Sequence, residues 1–316
     1  MIAPDDRVLQ QAAEWFAALH ADEPDALERE RWQAWLDADP AHAEAWRRVE
    51  AMSQRFERLP ELAGRQAAMR ALRVPARPGR RRLLRSVAVL GATGLTGWLV
   101  GRDEGPLPWR ADYRTGTGER RELALADGSR LWLNSGSAVC VAFDARQRGL
   151  RLLKGELLIE TARDVRPLVV HAQEAALHAR GTRFSVRRDE RGCHLAVYAG
   201  AVEARPVLPV PPVLVTAGQG LRIDASGQVE AQLPRRGQES WSRGLLVADG
   251  MRLADFIAEL ARHQPGYLGC APEVAELRLV GSFPLDDAEQ IYVALERALP
   301  VRVSRSLPWW RRVEAA

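Results

Sequence analysis

Between Ser86 and Gly101 sixteen consecutive residues carry no charge, and this run constrains the chain more than any other feature. Extended back to Leu83 it reads LLRSVAVLGATGLTGWLVG, with Arg85 as its single charge. A helix over residues 83–101 is about 28 Å long at 1.5 Å per residue, close to the hydrocarbon thickness of a bilayer. Arg85, near one end, can snorkel to the headgroups. A buried core helix would also suit a run of this modest length with its glycines. The flanks favour the membrane: Gly64 to Arg85 holds eight arginines and no acids, whereas Arg102, Asp103 and Glu104 follow the run. The positive-inside rule then puts the N-terminus in the cytoplasm and the C-terminal portion outside. Met1 to Leu62 is polar and acidic, unlike a signal peptide, so the internal span is expected to direct export. Gly97-x-x-x-Gly101 has a helix-pairing spacing. Arg80-Arg81-Arg82-Leu83-Leu84-Arg85 is similar to a twin-arginine export signal, although plain topogenic arginines explain it equally well.

Around one span, 316 residues leave room for two or three modest domains. The net charge of +4 does not read as a nucleic-acid surface, because the arginines are spread along the chain and Lys154 is the only lysine. Cys140, Cys193 and Cys270 are too few and too scattered for a disulfide framework or a zinc site. Cys140 and Cys193 would pair only if they shared a sheet in an oxidising compartment, and two buried free thiols are the simpler expectation. The six histidines lack metal-ligand spacing, so neither metal nor cofactor is expected.

Residues 1–62 read as a small all-α domain. Val8, Ala12, Trp15, Phe16 and Leu19 recur at helical spacing. A second helix starts near Pro24 and Asp25 and presents Leu27, Trp32, Trp35 and Leu36. Asp39 suits an N-cap, with Pro40 at N1 of a third helix carrying Ala45, Trp46, Val49, Met52, Phe56 and Leu59. Trp15 and Trp46 are expected in the core. Trp32 and Trp35, beside Arg29 and Arg31, are the candidates for a partner-binding surface. Residues 63–82, rich in Arg, Ala and Pro, read as a tether to the membrane.

Beyond the span the period changes from helical to strand-like, and residues 111–224 are expected to be all-β, a sandwich or a solenoid-like stack. Leu123, Leu125, Leu131 and Leu133 alternate with polar residues around Asp127-Gly128, a hairpin signal. Strand runs follow at Ala138–Phe143, Leu150–Leu153, Leu157–Thr161, Leu168–His171, Phe184–Arg187 and Leu195–Tyr198. Arg205 to Pro212 reads as a loop, and Ala225 to Ser240 as a polar linker. Residues 241–316 read as a small α+β unit with a loose strand–helix repeat. Its helical stripes are Leu253, Phe256, Ile257, Leu260 and Ala288, Ile291, Ala294, Leu295, Ala298; its strand candidates are Gly244–Val247, Leu277–Val280 and Val301–Ser304.

WQAWLDADPAHAEAW, from Trp32 to Trp46, resembles the short cytoplasmic domain of FecR-type regulators. LADGSRLWLNSGSAV, RGLRLLKGELLIETA, RPLVVHA, RGTRFSV, VYAGAVEA and AGQG resemble the exported domain of the same family and occur in the expected order. Arg180 and Ser185 depart from the commoner residues around Gly181-Thr182. VGSFPLDDAEQIYVALERAL resembles the small STN domains of TonB-dependent outer-membrane receptors. The resemblance implies a single-pass inner-membrane anti-sigma factor. It would relay a signal from such a receptor, as in regulation of iron or siderophore uptake, to an extracytoplasmic-function sigma factor through envelope proteases. The signalling domain of the receptor would be the periplasmic partner. The residues themselves leave two other readings open, a membrane-anchored binding module for envelope glycan or peptide, and an envelope hydrolase. No catalytic constellation is legible, so no turnover enzyme is expected.

One candidate for chemistry remains, Gly181-Thr182. A threonine hydroxyl can attack the preceding carbonyl and shift the backbone to an ester, given a strained peptide and donors for the oxyanion. An ordinary turn into the strand at Phe184 accounts for the same two residues. Some members of the family resembled are cleaved at this pair, which implies single-turnover self-cleavage here.

Overall fold

The computed structural model describes residues 6–19, 26–54 and 111–316. The expected tether, 63–82, and span, 83–101, lie outside the described residues. Among those described, no helix is long and apolar enough to cross a membrane.

Three helices open the chain: α1 (Asp6–Leu19), α2 (Ala26–Ala38) and α3, described over residues 40–54. On α1 the spacing i, i+3, i+4, i+7 makes one apolar stripe, and Leu9, Ala12, Ala13 and Phe16 are all buried. They meet Ala45, Trp46 and Val49 of α3. Asp39 caps α3 as expected, its Oδ1 accepting the Ala41 amide at 2.7 Å. The same core continues into Trp309 and Trp310 near the C-terminus.

Residues 113–232 form eleven strands in one hydrogen-bonded sheet folded over on itself. They are β1 (Tyr113–Arg114), β2 (Arg121–Ala124), β3 (Arg130–Leu133), β4 (Ala138–Phe143), β5 (Arg148–Glu160), β6 (Leu168–His171), β7 (Ala175–Asp189), β8 (Gly192–Pro206), β9 (Val213–Thr216), β10 (Gly220–Ile223) and β11 (Val229–Gln232). The three long strands β5, β7 and β8 change neighbours midway. Leu168–Ala179 and its register mates bind the first half of β7 to β6, while Gly155–Arg188 and its mates bind the second half to β5. Each long strand carries a glycine with positive φ near that change, Gly155, Gly181 and Gly200. The two halves of the folded sheet close over one apolar core, to which Leu150, Val170, Leu177 and Val202 contribute from one half and Leu131, Leu157, Phe184 and Leu195 from the other.

The C-terminal unit runs β12 (Leu245–Arg252), α4 (Leu253–Ala261), β13 (Tyr267–Cys270), β14 (Arg278–Pro284), α5 (Ala288–Ala298), β15 (Val301–Leu307) and β16 (Trp310–Ala315). Strands β12 and β14 pair antiparallel; β16 lies between β13, parallel to it, and β15, antiparallel. The strand–helix repeat expected from sequence is therefore present, with β13 and β16 in addition. Leu253, Phe256, Ile257 and Leu260 of α4 and Ile291 and Leu295 of α5 are buried, which bears out both stripes as core.

This second core is shared with the β-rich region. Trp132, Leu158 and partly buried Tyr198 project from the far side of the folded sheet into it. Strand β3 and the end of β5 are thus buried on both faces, so Leu131-Trp132-Leu133 and Leu157-Leu158-Ile159 are unbroken apolar runs rather than alternating ones. The stretch expected as a polar linker, 225–240, is ordered into this contact. It contains β11, and the 3-10 helix Gln238–Arg243 begins within it and places Trp241 in the shared core. Strand β8 likewise runs on to Pro206, so the expected loop starts two residues later than Arg205. Proline is tolerated there because it ends the strand.

Candidate functional site

Gly181 and Thr182 sit where β7 passes from one half of the sheet to the other. The register between β7 and β8 breaks between Arg180 and Arg183, and again before Phe184. Gly181 takes φ 67°, a left-handed value that costs any other residue steric energy. Across the bend, Gly200 on β8 packs so closely that a Cβ there would lie 2.3 Å from the Gly181 carbonyl oxygen and 2.9 Å from Thr182 Cγ2. The bend is held on its other side by Thr161. Its Oγ1 accepts the Thr182 amide at 2.8 Å, and its own amide donates to the Thr182 carbonyl at 3.0 Å. Thr182 is 4% exposed, yet its hydroxyl has no hydrogen-bond partner. A buried hydroxyl usually finds one, so this orphan is a group with capacity in reserve.

The next residue ties the bend to the C-terminal unit. Arg183 Nη1 donates to Glu160 Oε2 at 2.8 Å, and its Nε to Glu239 Oε2 at 2.7 Å on the 3-10 helix. Its guanidinium also lies 5.1 Å above the Trp132 ring. Burial works against this cation, but Glu239 and Glu160 outweigh it and raise its pKa.

A second polar cluster locks the same junction. Glu156, 2% exposed, accepts from Arg262 Nη2 at 2.7 Å, Asn134 Nδ2 at 2.9 Å and Trp241 Nε1 at 3.1 Å. Arg262 also pairs with Glu259, which accepts from Arg187 at 3.2 Å. Ser135 Oγ donates to the Arg262 carbonyl at 2.5 Å. Beside this network His263 is 4% exposed with neither ring nitrogen partnered. Burial, then the Arg262 charge, pushes its pKa down to about 4. A cleft of about 860 Å³ opens on the outer side, between Arg187, His194, Arg235 and Glu259.

The other sequence-derived candidates lie in a different core. Trp32 is partly buried, its ring 4.9 Å from that of Trp46, with Nε1 buried and unpartnered. Trp35 stacks on His42 at 4.4 Å and donates to Gln11 Oε1 at 3.3 Å. Each therefore leaves only part of its ring for a partner. Trp46 is core as expected, whereas Trp15 is only partly buried. The structure brings Gly181 and Thr182 together and does not join them to Trp32 or Trp35. Thr161, Arg183, Gly200 and Glu239 escaped the sequence reading. A glycine inside a strand, as in Tyr198-Ala199-Gly200, is the signal that marks a close backbone approach. Cys140 and Cys193 are buried and form no disulfide, and burial raises both thiols, Cys193 to about 12, which disfavours the nucleophilic thiolate. Among the described residues no group of His, Cys, Asp and Glu could hold a metal ion.

Residues 111–203 match the FecR protein family, and residues 10–52 match a domain of unknown function, DUF4880. No curated protein matches the chain. Two crystal structures of a candidate anti-sigma factor from Parabacteroides distasonis ATCC 8503, at 1.65 and 2.50 Å, are similar to it in fold. Each is 19% identical with a TM-score of 0.53, covering 65% of this chain and 98% of the other. The FecR match spans β1 to most of β8, with the Gly181-Thr182 bend inside it, and the DUF4880 match runs from within α1 into α3: the chain carries a FecR domain preceded by a DUF4880 region.

Proposed function

We propose that the chain is a transmembrane anti-sigma regulator. Helices α1–α3 would hold an extracytoplasmic-function sigma factor in the cytoplasm, and residues 83–101 would cross the inner membrane. The folded sheet and the C-terminal unit would stand in the periplasm to receive the signal of a TonB-dependent receptor, with the C-terminal unit as the STN-like recipient. The observation that carries this reading is the pairing in one chain of a tryptophan-rich helical module at 10–52 with a FecR domain at 111–203, the two parted by the arginine-collared apolar run. The test is a pull-down of the full chain in detergent against the extracytoplasmic-function sigma factors of its host, with Trp32→Ala/Trp35→Ala alongside. Saturable capture of one sigma factor, lost in the double variant, is expected. Capture of none by folded protein would sink the reading.

The release step we assign to the Gly181-Thr182 bend. Thr182 Oγ attacks the Gly181 carbonyl carbon, its proton passes to the amide nitrogen, the C–N bond breaks and an ester forms. Water then opens the ester, leaving a Gly181 carboxylate and a free Thr182 amine. The left-handed Gly181 and the unpartnered Thr182 hydroxyl support this. Both halves of β7 stay paired to β8, so the fragments are expected to co-purify and part only on denaturation. Envelope proteases would then complete the release. Thr182→Ala should run as one band where wild type gives two; an intact wild type would remove self-cleavage from the mechanism.

The polar cleft beside Arg187 and Glu259 favours a second reading, a membrane-anchored module for envelope glycan or peptide.

A further inference from the structure

Arg183 stands between the bend and everything C-terminal to it. Its neighbour Thr182 carries the orphan hydroxyl, and Arg183 is the residue on which pairing with β8 resumes, opposite Ala199. The side chain leaves the sheet toward two carboxylates on different elements. Glu160 is its own register partner on β5, so that pair is internal to the sheet. Glu239 belongs to the 3-10 helix whose Trp241 is 4% exposed in the core of the C-terminal unit. Trp132, beneath the guanidinium, sits in that same core. A planar, five-donor cation suits such a bridge, because it holds two carboxylates and a ring face in one geometry.

We propose that Arg183 is a positioning residue through which the C-terminal unit sets the geometry of the Gly181-Thr182 bend, and so the rate at which that peptide rearranges. The inference rests on the self-cleavage reading above. With Glu239 engaged, Arg183 cannot swing, and the Thr182 backbone is held between it and Thr161. A displacement of the 3-10 helix withdraws one carboxylate. The bend then relaxes toward an ordinary strand crossing, in which Gly181 no longer holds its left-handed conformation beside the Thr182 hydroxyl. The C-terminal unit thereby controls scission without supplying any reacting atom.

The test follows the appearance of the two fragments over time in the full chain, for wild type, Glu239→Gln, Glu160→Gln, Arg183→Lys and Arg183→Gln. Melting temperature is read on a Thr182→Ala background, so that cleavage does not disturb it. Glu239→Gln and Arg183→Gln are expected to slow scission at least about tenfold, the factor that ~1.4 kcal/mol of lost positioning is worth. Arg183→Lys, which keeps the charge but not the planar fork, is expected to recover part of the rate. A purely structural role would lower the melting temperatures without this rescue. Scission at the wild-type rate in Glu239→Gln would overturn the coupling while leaving self-cleavage standing. An uncleaved wild type would overturn both.

Discussion

The ring of Phe16 on α1 meets the ring of Trp309 edge-on, with centroids 5.7 Å apart and planes at 73°. Leu9, Ala12 and Ala13 join Phe16 in covering Trp309 and Trp310, and Trp310 in turn stacks on Tyr267 at 3.8 Å. Residues 83–101 lie between these partners in sequence. A span there puts the two rings on opposite sides of a membrane, so the contact and the inserted state exclude each other. In intact cells a membrane-impermeant maleimide is therefore expected to label Trp309→Cys and not Phe16→Cys, on a Cys270→Ser background. Bridging of the two cysteines by a short bismaleimide in cells would place both ends in one compartment and remove the span from the reading.

Arg262→Met should destabilise the protein by about 3–5 kcal/mol, because it strands the buried Glu156 carboxylate. Glu156→Gln keeps the shape and two donors nearby, and should cost less, about 1–3 kcal/mol. Denaturant midpoints of the two variants check the order. A smaller loss for Arg262→Met than for Glu156→Gln would mean that the pair is wetter than its burial implies.

His263 makes stability depend on pH with a definite sign. Buried neutral, it titrates only near 4, whereas the unfolded chain takes up this proton near 6.5. The unfolded state therefore binds more protons between those values, and stability falls as the pH drops from about 6.5 toward 4, by about 3 kcal/mol for this group. Glu259, Arg262 and Arg120 are the charges that act on it. Melting curves of wild type and His263→Leu at pH 7.5 and 4.5 read the difference. The variant should lose less on acidification, and equal losses would remove His263 as the cause.

Gly200→Ala should damage the bend more than its small size suggests. The new methyl would meet the Gly181 oxygen at 2.3 Å, at a residue whose φ is 75°. The left-handed conformation alone costs an alanine about 1–2 kcal/mol, and the clash adds to it. A melting temperature unchanged from wild type would show that β8 can shift away from Gly181.

The helical module and the C-terminal stripes were legible in sequence because each is a local periodicity: Ala12 and Phe16 on α1, where the buried face is completed by Leu9 and Ala13 rather than by the expected Val8, Trp15 and Leu19, and Leu253, Phe256, Ile257 and Leu260 on α4. Asp39 and Pro40 likewise announced the start of α3. Strand β16 was hidden because only Trp310 and Val313, three residues apart, are buried among Arg311, Arg312 and Glu314, a spacing that gives no strand alternation. The polar segment around Glu239 was hidden for another reason. Its Glu239 is paired with Arg183, and only Trp241 signals that the segment is anchored.

Sequence alone determined the order of the modules, the apolar run with its arginine collar and the Gly-Thr pair, since all of these reside in neighbouring residues. Tertiary structure decided what surrounds that pair. It brought Thr161 from β5, Gly200 from β8 and Glu239 from beyond the sheet to one bend, and it merged the expected β domain and C-terminal unit through Trp132 and Leu158. These relations join residues tens of positions apart, and no local period records them; they arise when long strands, bent at Gly181 and Gly200, bury both of their faces at once.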